Sequence, residues 1–106
     1  MKARPYKPDG ESHVQCEPGE ATHLLLNIPG PSGNIMIPVM IGGTRSGTPN
    51  WTWNGSVDKP TVKPSLLTHG SGFTCHSFVN DGKVQFLSDC SHELANQTID
   101  LLDVDD

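Results

Sequence analysis

The sequence predicts a mainly β fold, a small antiparallel sheet or sandwich with one short helical turn near the C-terminus. Short segments rich in β-branched and aromatic residues recur between turn residues. The 11 Gly and 9 Pro among 106 residues interrupt the chain too often for long helices. Apolar residues make up only 34%, enough for one modest core and too few for two domains. Burial alone would leave such a fold marginally stable, so a further staple is expected.

Residues 1–12, with Pro5, Pro8 and the Asp9-Gly10 pair, read as a flexible N-terminal arm, residues 13–102 as a single β-rich domain, and residues 103–106 as an acidic tail. Within the domain, residues 13–16 form a short strand and Pro18-Gly19 a turn. Residues 22–28 and 35–41 then pair as a hairpin across the Pro29-Gly30-Pro31-Ser32-Gly33 break. Residues 42–50 carry no large apolar side chain and read as a surface loop or lid. Trp51-Thr52-Trp53 places both indoles on one face of an extended segment before Asn54-Gly55 turns the chain. Pro60 and Pro64 confine residues 61–65 to an extended or edge path, since neither donates to a ladder.

The clearest local signal is Asp81-Gly82 between two apolar-rich arms, which predicts a two-residue type I′ turn. That turn sets Val79 opposite Val84, Ser77 opposite Phe86, Cys75 opposite Ser88 and Phe73 opposite Cys90. Cys75, Ser77, Val84, Phe86 and Cys90 then share one face, and His76, Phe78, Leu87 and Asp89 the other. A three-residue turn would instead bring His76 beside Phe86 and Cys90. Ser91 caps a helical turn over residues 92–96, and residues 98–102 are extended again.

A net charge of −5, with Asp100, Asp103, Asp105 and Asp106 crowding the C-terminus and no basic stripe, argues against nucleic acid as a partner. No run approaches the roughly 18 to 20 apolar residues that span a bilayer, and the N-terminus lacks an apolar signal core. No membrane association is expected. Three cysteines, an odd number, point to reduced thiols or metal ligands in the cytoplasm.

Each cysteine has a histidine nearby: Cys16 with His23, Cys75 with His76, Cys90 with His92. Zinc takes four thiolate and imidazole ligands, although no Cys-x-x-Cys knuckle is present; the alternative for Cys75 is a small buried hydrophobe. Asp89-Cys90-Ser91-His92 sets a thiol at the start of a helical turn, where backbone N–H groups favour the thiolate. Cys90 is therefore the candidate nucleophile, with His92 or His76 as base and Asp89 or Asn54 orienting the histidine or polarising the carbonyl. Ser77 shares the Cys75 face, away from His76. Ser65, between Pro64 and Leu66, reads as a hydroxyl satisfying a turn, and His69 as an extra ligand or a solvated loop residue. Trp51 and Trp53 close the core or form an apolar platform.

Three segments together carry a resemblance: Trp51 to Gly55 with Lys59-Pro60-Thr61 and Pro64-Ser65-Leu66-Leu67; Cys75-His76-Ser77-Phe78-Val79 with Asp81-Gly82 and residues 84–90; and His92-Glu93-Leu94-Ala95 with Gln97 to Leu101. In these, about half the chain, it resembles a family of small proteins of tailed-phage genomes, a domain of unassigned function. Relatives of that family accompany bacterial ubiquitin-like conjugation genes as predicted peptidases. The resemblance implies a zinc staple: Cys16 and His23 stand where the family has the first cysteine and the histidine of a knuckle, Gly19 stands where it has the second cysteine, and Cys75, His76 or Glu20 would replace it. Serine replacing the cysteine that matches Cys90 in some relatives implies an interchangeable nucleophile.

The resulting expectation is a peptidase-type hydrolase with a thiol nucleophile, its catalytic residues Cys90, His92, His76 and Asp89, and Zn2+ on Cys16, His23 and Cys75. It would act in the cytoplasm of an infected or lysogenic bacterium on a host or phage protein. The alternative is a non-catalytic phage protein that binds a host or defence protein through its acidic surface and the Trp51 region.

Overall fold

The computed structural model describes residues 1–43 and 50–104. Residues 44–49, the centre of the expected loop or lid, and Asp105 and Asp106 of the expected tail lie outside the described residues. Among the described residues nine strands follow one another: β1 (Ala3–Asp9), β2 (Ser12–Gln15), β3 (His23–Ile28), β4 (Gly33–Ile41), β5 (Trp51–Trp53), β6 (Val62–Gly70), β7 (Phe73–Asn80), β8 (Lys83–Phe86) and β9 (Thr98–Asp100). A 3-10 turn, Pro18–Glu20, lies between β2 and β3. The fold is mainly β, as the composition and turn spacing imply.

The strands form one sheet in the order β2-β1-β3-β4-β5-β6-β7-β8-β9, antiparallel throughout except for the parallel pair β4 and β5. The sheet curls over a single core. Inward-facing Leu24, Leu26 and Ile28 of β3, Val39 of β4, Trp53 of β5, Val62 and Leu66 of β6, Val79 of β7, and Val84 and Phe86 of β8 are all buried in it. An isolated bridge between Asn27 and Leu102 brings the chain after β9 back against β3, and the Val104 N–H donates to the Met1 carbonyl at 3.0 Å.

Residues 1–12 depart from the expected flexible arm. Ala3 is fully buried, β1 lies between β2 and β3, and the Pro5 carbonyl accepts the Cys16 N–H at 3.1 Å. A proline costs a strand one donor and leaves its acceptor, so Pro5 and Pro8 are tolerated there. The segment after Pro60 is no edge either. β6 runs between β5 and β7, with its register slipping between Val62 and Leu66, so that Lys63, Pro64 and Ser65 bulge from the ladder. The expected helical turn at residues 92–96 is a pair of tight turns, closed by Ala95 N–H to His92 O and Gln97 N–H to Leu94 O. It is stopped by the left-handed backbone of Asn96 (φ +68°).

The hairpin around Asp81-Gly82 has the predicted register, with Asn80 opposite Lys83, Val79 opposite Val84 and Ser77 opposite Phe86. Both turn residues have positive φ, +53° and +77°, as a type I′ turn requires. The ladder stops at Phe86, two residues short of the expected Cys75 pairing with Ser88. A second hairpin precedes it: β6 and β7 join through Ser71-Gly72, with Gly70 opposite Phe73 and Leu67 opposite His76. Residues 68–72, read from sequence as a loop carrying His69, are the end of this hairpin.

Candidate active site

Side chains alternate across a strand, so the two hairpins sort β6 and β7 into an inner and an outer set. Leu66, Cys75, Ser77 and Val79 point into the core, while Leu67, His76 and Phe78 point out. Ser65, next to inward Leu66, falls on that outer side by the same alternation. Its hydroxyl lies 2.9 Å from His76 Nε2, and His76 Nδ1 lies 2.9 Å from Asp89 Oδ2.

Serine, imidazole and carboxylate thus form one continuous hydrogen-bonded chain. The hydrogen bond from the His76 ring holds the Asp89 carboxyl below the usual carboxylate range. An ionised carboxylate only accepts, so Nδ1 carries the proton and Nε2 presents its lone pair to the Ser65 hydroxyl. That is the arrangement in which a serine oxygen can lose its proton while attacking an acyl carbon. The Trp51 indole N–H donates to the Ser65 carbonyl at 3.2 Å and ties the bulge to β5.

The surroundings are open and partly apolar. Leu67 (52% exposed) and Phe78 (42% exposed) flank His76 on the same face. Two hollows meet at Lys63, two residues before Ser65. One of about 320 Å³ is lined by Ile41, Thr52, Trp53 and Thr61 among others, and one of about 250 Å³ by Phe78, Asn80 and Gln85 among others.

Of the four residues expected from sequence to be catalytic, His76 and Asp89 meet here, while Cys90 and His92 lie near each other on the inner side. The Cys90 thiol is on the inner side of the hairpin, where its sulfur accepts the His76 backbone N–H at 3.1 Å and donates to the His76 carbonyl at 3.0 Å. The two nitrogens of the His76 ring bond Ser65 and Asp89, so that ring does not serve Cys90 as a base. His92 lies behind the sheet with its ring edge-on to Phe86. Asn54 clamps the 54–61 loop through Ser56 N–H, Thr61 N–H and the Lys59 carbonyl, and does not reach the imidazole.

The expected zinc set is not assembled either. Cys16 follows β2 in a polar hollow with Lys7, Glu17 and Glu20, where burial and the Glu20 carboxylate push its thiol up. His23 bonds Thr22 and packs against the His13 ring, and Glu20 pairs with Lys7. Cys75 instead joins Cys90 and His92: among the described residues these three offer ligand atoms within 4.8 Å of one another, a group able to hold a metal ion. Burial, above all, pushes the Cys75 thiol up.

Ser65 is the residue sequence reasoning missed. The usable signal was Ser71-Gly72, which as a two-residue turn pairs Leu67 with His76 and sets the serine within one strand step of the imidazole.

No curated protein and no solved structure matches the chain at a significant level. The family model of BubE, the bacterial ubiquitination-like system serine protease, matches residues 4–87, a span that contains Ser65 and His76 and stops two residues short of Asp89. With a serine bonded to an imidazole inside the matched span, the chain belongs to the BubE family of bacterial ubiquitination-like system serine proteases.

Proposed function

We propose that the protein is a serine hydrolase of peptidase type, with Ser65 as nucleophile, His76 as general base and then general acid, and Asp89 orienting the imidazole. The unbroken chain from Ser65 Oγ through His76 to Asp89, two contacts of 2.9 Å, carries the reading. As Oγ attacks an acyl carbon, Nε2 takes the hydroxyl proton. The imidazolium so formed is stabilised by Asp89 and returns the proton to the leaving amine. Water then attacks the acyl-serine with the same histidine as base.

The family description supports a protease, so the bond cleaved would be an acyl bond of a polypeptide, which we take to be one handled by a ubiquitination-like system. The hollows on either side of Lys63 give its side chains room, and Leu67 and Phe78 give it an apolar bed. This serine reading replaces the thiol nucleophile expected from sequence, because the sulfur of Cys90 is engaged with main chain on the opposite side of the strand.

The test is covalent labelling of the full chain with a fluorophosphonate, followed by mass mapping. One adduct on the Ser65 peptide is expected, lost in Ser65→Ala and in His76→Ala, each checked by circular dichroism for an intact fold. An adduct on another residue, or no labelling of the folded wild type, would overturn the assignment.

A further inference from the structure

Behind the strand that carries His76, the pleat turns the neighbouring residues inward. Cys75 precedes the histidine and Cys90 follows the aspartate, so both thiols lie under the hairpin end that presents the triad. Their sulfurs and a ring nitrogen of His92 fall within 4.8 Å of one another. In a tetrahedral zinc site with Zn–S bonds of ~2.3 Å the sulfurs stand about 3.8 Å apart, so closing this group onto an ion takes shifts on the order of 1 Å.

A second observation points the same way. His92 Nε2 is buried and has no hydrogen-bond partner among the described residues, a costly state for a polar nitrogen unless a ligand meets it. The His76 N–H already points at the Cys90 sulfur, as backbone donors around metal-bound thiolates do. The hydroxyls of Ser32 and Thr68, 2.9 Å apart, lie within hydrogen-bonding influence of the Cys75 thiol.

We propose that Cys75, Cys90 and His92 bind one divalent transition-metal ion of borderline softness, zinc foremost, with a water against Ser32 and Thr68 as fourth ligand. The ion is structural. It ties β7, the turn after β8 and the turn holding His92 together, and so braces His76 and Asp89 from the core side without touching substrate. It also supplies the staple that a small core calls for, at residues other than the knuckle-like pair Cys16 and His23. The site stands independently of the serine-hydrolase reading, since Ser65 contributes no ligand.

Chelator-treated, reduced full-length protein is titrated with Co2+ and then Zn2+. The expected result is thiolate-to-cobalt charge-transfer absorption saturating at one equivalent per chain, bleached by zinc, with a rise in melting temperature. Cys75→Ser, Cys90→Ser and His92→Gln each abolish the band, while Cys16→Ser, His23→Gln and Ser65→Ala retain it. Should the buried cysteine variants fail to fold, His92→Gln, which changes a half-buried turn residue, decides the matter on its own. A wild type without the band, a band that disappears with Cys16→Ser, or a Cys75–Cys90 disulfide whose reduced form takes up no cobalt overturns the site.

Discussion

Asp89 is well exposed and bonds a single ring nitrogen, so its contribution is orientation and charge, with little packing. Asp89→Asn should fold normally and lower kcat by roughly 10²- to 10⁴-fold with KM changed little, because the amide no longer selects the tautomer that accepts the serine proton. Steady-state kinetics on a peptide ester checks this; an equal rise in KM would instead indicate a substrate contact. Trp51 acts one step further out. Its indole donates to the Ser65 carbonyl, and Trp51→Phe should lower kcat about fivefold to tenfold, the worth of one hydrogen bond that fixes the bulge, with fluorophosphonate labelling slowed in proportion. At this scale two of the three residues of the hydrogen-bonded chain were legible. His76 and Asp89 fell on one face as soon as the Asp81-Gly82 turn was read, whereas Ser65 joins them only through the register of the β6–β7 hairpin. That register hangs on Ser71-Gly72, which reads as loop, and a serine between proline and leucine reads as turn chemistry.

Among the elements, the two hairpins show why some registers can be read and others cannot. Asp81-Gly82 announces its turn type, and the apolar alternation on both arms agrees with it; Ser71-Gly72 is as short but lies among polar and glycine residues that read as loop. The parallel pairing of β4 with β5 spans residues outside the described structure and has no local signature at all. Gly82 has φ +77°, and a Cβ there would stand 3.2 Å from the Asp58 carbonyl oxygen and 3.3 Å from Lys59 Cα. Gly82→Ala should therefore destabilise the fold by ~1 to 2 kcal/mol, visible as a lower urea midpoint with an unchanged slope. Farther along the sheet, β9 is an edge strand joined to β8 by the Lys83–Asp100 pair at 2.7 Å, which holds the Asp100 carboxyl below its ordinary range. A depressed folded pKa contributes stability above the unfolded carboxylate range and loses it as pH falls through the folded value. Amide exchange of β9 should accordingly quicken, beyond the intrinsic rate change, when the solution is acidified through that window. In Asp100→Asn this pH dependence should vanish.

For the molecule as a whole, a single core joins the strands of both halves of the curled sheet, and its largest fully buried side chain is Trp53, whose indole N–H is satisfied by the Ser56 carbonyl at 3.0 Å. Trp53→Ala should cost ~3 to 5 kcal/mol. Against the ~5 to 15 kcal/mol typical of natural domains, with a chain this small near the bottom, that should leave no cooperative thermal transition near room temperature. The fold class was readable from composition and turn spacing; the closure of the sheet was not, because it rests on contacts such as Lys2 Nζ to the Leu101 carbonyl at 2.7 Å between stretches almost a chain length apart. That stitch has a topological consequence. With Met1 and Val104 hydrogen-bonded to each other, an engineered gene that runs residues 11–104 through a short glycine bridge into residues 1–10, opening at the exposed Gly10-Glu11 turn, would give a permuted protein in which the described strands keep their neighbours.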